Sequence, residues 1–105
     1  MKIILTGSTG VLGSHIMYDI LEHFMNNNID GKLYLITRNK GKVTAKERII
    51  ELLSSSYTPK ILFEKGIVSL LQYIEIIDTD LSQLENTFAE KLKDSFFIHS
   101  AGYVN

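Results

Sequence analysis

The sequence contains no cysteine. That excludes disulfides, thiol nucleophiles and thiolate metal sites together. It also has little excess charge of either sign: 11 basic and 12 acidic residues give a net charge of −1. Such a balance points to neither nucleic acid nor a membrane surface as a partner. No apolar run approaches the roughly 20 residues that cross a bilayer. "MKIILTGSTG" carries one basic residue and too short an apolar stretch for a signal peptide. A soluble cytoplasmic protein is therefore expected. Proline occurs once, at Pro59, within the least readable stretch of the chain. What remains is ordinary globular composition, 45% hydrophobic and 22% charged, over 105 residues. That is enough for one small domain, expected to span 1–105.

Two periodicities alternate along the chain. "KIILT", residues 2 to 6, is a short apolar run of the kind a strand buried on both faces shows. From Leu12 the apolar positions Ile16, Met17, Ile20, Leu21 and Phe24 form one helical stripe, ended by Asn26 to Asn28 and Asp30-Gly31. "KLYLITR", 32 to 38, is a second strand. Thr44 and Glu47 have capping-box spacing and open a second helix that runs to about Leu53. Residues 54 to 71, punctuated by Pro59 and Gly66, read as one or two short helices. "QYIEIID", 72 to 78, is a third strand. Ser82 and Glu85 form another capping box, opening a helix with Leu84, Phe88 and Leu92, and "FFIHS" is a fourth strand. Strand–helix alternation specifies a parallel sheet with right-handed crossovers. The predicted fold is α/β: a doubly wound, Rossmann-type parallel sheet, incomplete, in strand order 3-2-1-4.

"LTGSTGVLGSH" lies between the first strand and the first helix. Gly7, Gly10 and Gly13 have the spacing that dinucleotide binding needs. The first glycine permits a tight turn, the second lets backbone approach a pyrophosphate, and the third lets the helix lie close to the sheet. The helix N-terminus then presents free amides to the anion. Ser8 and Thr9 are either hydroxyl donors to phosphate or simply good turn residues. The same spacing without a ligand would be only a tight strand-to-helix turn; the strand–turn–helix setting favours the cofactor.

An NAD site usually places a carboxylate at the end of the second strand to hold the ribose 2′-hydroxyl. Here that position reads Thr37-Arg38, followed by Asn39, Lys40 and Lys42, with Lys46 and Arg48 on the next helix. Asp30 precedes the strand and lies at its opposite end. A cationic cluster without an acid suits a 2′-phosphate, which arginine binds bidentately. Lys42 and Lys46 read better as a solvated basic face. Asp80, at the exit of the third strand, lies where an adenine amino group would fall. It equally suits the N-terminus of the helix that follows.

These residues resemble the extended short-chain dehydrogenase/reductases, most of all their thioester-reductase and fatty-acyl-CoA-reductase (male-sterility-type) branch. "TGSTGVLGSH" is similar to that branch's glycine motif, here Thr6 to Gly13 with Val11 and Leu12 inside it. "LYLITR" and "KERIIELL" resemble the strand and helix whose arginines, here Arg38 and Arg48, lie near NADPH. "TDLS", with Asp80 and Leu81, is similar to an adenine loop "GDLS", with Thr79 replacing Gly. "IHSAGYVN" is similar to "HxAAxVN" beneath the nicotinamide ribose, with Ser100, Ala101 and, in place of the second Ala, Gly102. The resemblance spans essentially the whole chain. It implies an NADP(H)-dependent oxidoreductase that reduces a thioester on CoA or a carrier protein to aldehyde or alcohol. Relatives of this kind often form the terminal domain of non-ribosomal peptide or polyketide synthetases.

One family feature is missing. Catalysis in these reductases uses a Tyr-x-x-x-Lys pair, in which helical spacing lets Lys lower the Tyr pKa. Tyr57-Thr58-Pro59-Lys60 has the wrong spacing, and Tyr103 has only two residues after it. The expectation is the cofactor half of a reductase, cut before its catalytic half and inactive alone, with no catalytic residue of its own. A non-catalytic dinucleotide-binding regulatory module and a sugar-nucleotide epimerase or dehydratase fragment are the alternatives. His15, His23 and His99 lack metal-ligand spacing and read as packing or surface residues. In the order 3-2-1-4, strand four is an edge bearing Phe96, Phe97 and Ile98, and part of strands one and four should lie uncovered. Self-association through that edge is expected.

Overall fold

A computed structural model describes residues 1–79 and 93–100. The element order is β1 (Lys2–Thr6), α1 (Val11–Asn26), β2 (Lys32–Ile36), α2 (Ala45–Leu53), α3 (Lys60–Lys65), α4 (Ile67–Leu71), β3 (Ile74–Ile77) and β4 (Phe96–His99). The four strands form one parallel sheet in the order β3-β2-β1-β4, as the alternation predicts. The fold is Rossmann-type α/β. The helix expected after Ser82 lies outside the described residues.

Side-chain alternation sorts the sheet into two faces. Ile3, Leu5, Leu33, Leu35 and Ile74 share one core with Met17, Leu21 and Phe24 of α1, Ile49 and Leu53 of α2, Leu62 of α3 and Leu70 of α4. All four described helices therefore cover the same face. On the other face Ile4 clusters with Tyr34, Ile36 and Ile77. The expectation that strand one is partly uncovered is corrected: Ile3, Ile4 and Leu5 are all buried. Among the strand residues described, the exposed ones lie in β4, where Phe96 and Phe97 point to opposite faces and are 65% and 49% exposed.

Local chemistry sets the element ends. Asn28 takes a left-handed conformation (φ 53°) just past α1, which Asn tolerates better than most residues. The Thr44 hydroxyl accepts from the Glu47 amide at 3.1 Å, as predicted for the cap of α2, but Glu47 Oε1 accepts from the Thr44 hydroxyl at 3.1 Å where a full capping box would use the Thr44 amide. Gly66, at φ +85°, separates α3 from α4. Strands β2 and β3 are shorter than predicted, stopping at Ile36 and Ile77. That leaves Thr37, Arg38 and Asp78 in the loops at the carboxyl end of the sheet. Among the described residues, no helix is long and apolar enough to cross a membrane.

Candidate functional site

The chain moves outward from β1 to β2 to β3, then returns to place β4 on the other side of β1. Ligands in open α/β sheets bind at such a reversal, outside the carboxyl ends of the strands. The glycine loop lies there. Gly7 has φ +74°, a left-handed conformation that disfavours any side chain, and its carbonyl accepts from the Gly10 amide at 3.1 Å. This tight turn reverses the chain into α1.

Gly10 and Gly13 are glycines for different reasons. A β-carbon on Gly13 would lie 1.8 Å from the Gly7 carbonyl oxygen and 2.8 Å from Ser100 Oγ, so α1 sits on the loop with no space between. Among the described residues a β-carbon on Gly10 would meet only the Gly7 oxygen, at an ordinary 3.5 Å, and the Gly10 backbone is extended at φ −81°. Nothing among the described residues demands glycine at position 10. Its missing side chain instead keeps open the space before the N-terminus of α1. Among the described residues no side chain caps that terminus, and its first turn holds no acidic residue. An anion would find unsatisfied amides and the positive end of the helix dipole there. These residues fit a dinucleotide pyrophosphate.

The other predicted residues are placed as follows. Thr6 is buried at the end of β1, with its Oγ1 2.7 Å from His99 Nδ1. The Ser100 amide donates to Thr6 Oγ1 at 3.2 Å, and the Ser100 hydroxyl donates to the Thr6 carbonyl. The exits of β1 and β4 are thereby joined beside the glycine loop. Ser8 is 1% exposed and its hydroxyl pairs with that of Thr37 at 3.3 Å, so it faces inward. Thr9, Gly10, Val11 and Leu12 are exposed along the loop and the first turn. Asp80, Leu81, Ala101 and Gly102 lie outside the described residues.

Arg38 is exposed at the exit of β2, and among the described residues its guanidinium has no hydrogen-bond or ion-pair partner. Arg48 reaches across from α2: Nη1 donates to the Arg38 carbonyl at 2.6 Å and Nη2 to Thr9 Oγ1 at 3.0 Å. Helix α2 is held in position for this by Asn39, whose Oδ1 accepts from the Ala45 amide at 2.8 Å. The sequence reading had no role for Asp78, yet its Oδ1 accepts from the Asn39 amide at 3.2 Å and sets a carboxylate against the β2 exit. Its position is the signal: β3 stops at Ile77, one residue short of the strand the sequence predicts, which leaves Asp78 at the exit.

Residues 5–105 match the family model described as male sterility protein, an NAD-binding family. The chain belongs to this family. Among curated proteins, none matches the chain. Membership fixes the general chemistry: the chain is a dinucleotide-binding module of an oxidoreductase, and its cofactor is a nicotinamide dinucleotide.

Proposed function

We propose that the chain binds NADP(H) and serves the reduction of a thioester carried on CoA or on a carrier protein. The observation that carries the cofactor half is the pairing at the β2 exit. Arg48 bonds to the Arg38 backbone, bringing a second guanidinium to the strand end, and neither arginine makes an ion pair among the described residues. Two guanidinium groups without an ion-pair partner among the described residues suit a dianionic 2′-phosphate, which they can hold by charge-assisted, bidentate hydrogen bonds even with the Asp78 carboxylate at the same exit.

In this reading Gly10 gives the pyrophosphate access to the amides of the first turn of α1. The motif resemblance assigns Asp80 and Leu81 to the adenine, and Ser100, Ala101 and Gly102 to the nicotinamide ribose. Thr6 and Ser100 hold the nicotinamide-side loop to the glycine loop through the bonds described above. When bound, a reduced nicotinamide would supply the hydride needed to take a thioester, with a proton, to an aldehyde and a free thiol. The thioester half rests on the family and on the four ordered motifs. The sequence carries no Tyr-x-x-x-Lys pair to hold or deliver the proton.

Calorimetric titration with NADPH and NADH tests the cofactor half. NADPH should bind more tightly by about 1–3 kcal/mol, the size of a charge-assisted contact to a partly exposed phosphate. Arg38→Asp should narrow or reverse that difference. Equal affinities in the unaltered protein would refute it.

A further inference from the structure

Arg48 is anchored at two points that belong to different parts of the site. One is the Arg38 carbonyl at the β2 exit, and the other is the Thr9 hydroxyl, 39 positions away in the chain, on the glycine loop. An arginine has five N–H donors in a planar fork and a long stem with many rotamers. Two bonds, one from each Nη, fix the plane of that fork. Both acceptors are neutral, so the positive charge stays available to a ligand while its direction is set. The other three N–H groups have no partner among the described residues.

Resting on the cofactor reading above, we propose that Thr9 is a positioning residue for the 2′-phosphate, acting through Arg48. A residue of the pyrophosphate loop would thus tune recognition at the other end of the adenosine. The chemistry needed is small: a hydroxyl oxygen that accepts from Arg48 Nη2. Serine can supply it and valine cannot, although valine keeps the shape of threonine. Thr9 is exposed, so neither change opens a cavity in the core.

The experiment compares NADPH and NADH dissociation constants in the unaltered protein, Thr9→Val and Thr9→Ser. Losing one orienting hydrogen bond should lower the NADPH preference of Thr9→Val by about three- to tenfold. Thr9→Ser should retain the original preference. In an Arg48→Lys background the Thr9→Val change should no longer alter the ratio, because coupled residues are non-additive. A Thr9→Val protein that weakens both cofactors by the same factor would place the hydroxyl at the pyrophosphate and overturn the inference. So would an unchanged preference. If the unaltered protein shows no preference at all, the cofactor reading itself fails and this inference falls with it.

Discussion

Gly13 packs so tightly onto Gly7 that a β-carbon there would stand 1.8 Å from the Gly7 carbonyl oxygen. The obstacle is backbone, which cannot swing aside as a flexible side chain would. Gly13→Ala should therefore destabilise the fold at the upper end of the overpacking range, about 3 kcal/mol. Gly10→Ala makes the contrast, since its β-carbon finds ordinary contact distance and a permitted backbone. It should change stability by no more than about 0.5 kcal/mol while weakening dinucleotide binding by about tenfold or more, a loss of at least about 1.4 kcal/mol. Urea denaturation and cofactor titration of the two variants measure both effects. A Gly10→Ala protein that binds cofactor normally would remove the pyrophosphate from this loop.

Asp78 opposes the arginines at the same strand exit. Its carboxylate is held by the Asn39 amide and is exposed, so its repulsion of a 2′-phosphate is screened by water and salt. Asp78→Asn keeps an oxygen to accept that bond and removes the charge. NADPH affinity should rise by about two- to fivefold, as expected for a surface charge interaction below about 1 kcal/mol. NADH affinity should not rise with it. A fall in NADH affinity without any gain for NADPH would mean that Asp78 holds the ribose hydroxyls.

The strand order and the glycine turn were legible because both rest on local pattern. Apolar runs of five residues alternate with one-face helices, and the reversal of strand order follows from handedness. Side-chain direction within the turn was not legible. Ser8 and Thr9 are neighbours of similar chemistry, yet Ser8 turns inward to Thr37 and Thr9 outward to Arg48. No periodicity governs a four-residue loop, and the Thr9–Arg48 contact joins elements that only the folded sheet brings together. Asp78 escaped notice for a related reason: one residue of error at a strand end moved it from a loop into the sheet.

The exposed edge has its own consequence. Among the described residues β4 is an edge strand carrying Phe96 and Phe97, and no charged residue interrupts Phe96–His99. Apolar edges without charge or cover pair with other chains. The chain should self-associate, most simply as a two-fold dimer pairing β4 with β4. Light scattering at micromolar concentration should show a species above monomer mass, and Phe97→Lys should return it toward the monomer. A monomer in the unaltered protein would dismiss this edge as an interface.

Residues 1–105 should consume no NADPH when mixed with a CoA-linked thioester, because they carry no Tyr-x-x-x-Lys proton donor. Steady cofactor oxidation that survives repurification would show that another group in this chain moves the proton.

The pairing of Arg38 with Arg48 is tested most directly by ligands that differ only at the 2′ position. Titrating the protein with 2′,5′-ADP and with 5′-AMP isolates the phosphate from the rest of the dinucleotide. The 2′-phosphorylated ligand should bind at least about tenfold more tightly, a difference of about 1.4 kcal/mol, and should lose most of that advantage in Arg38→Asp. Equal binding of the two ligands, or tighter binding of 5′-AMP, would mean that the two arginines do not form a 2′-phosphate site.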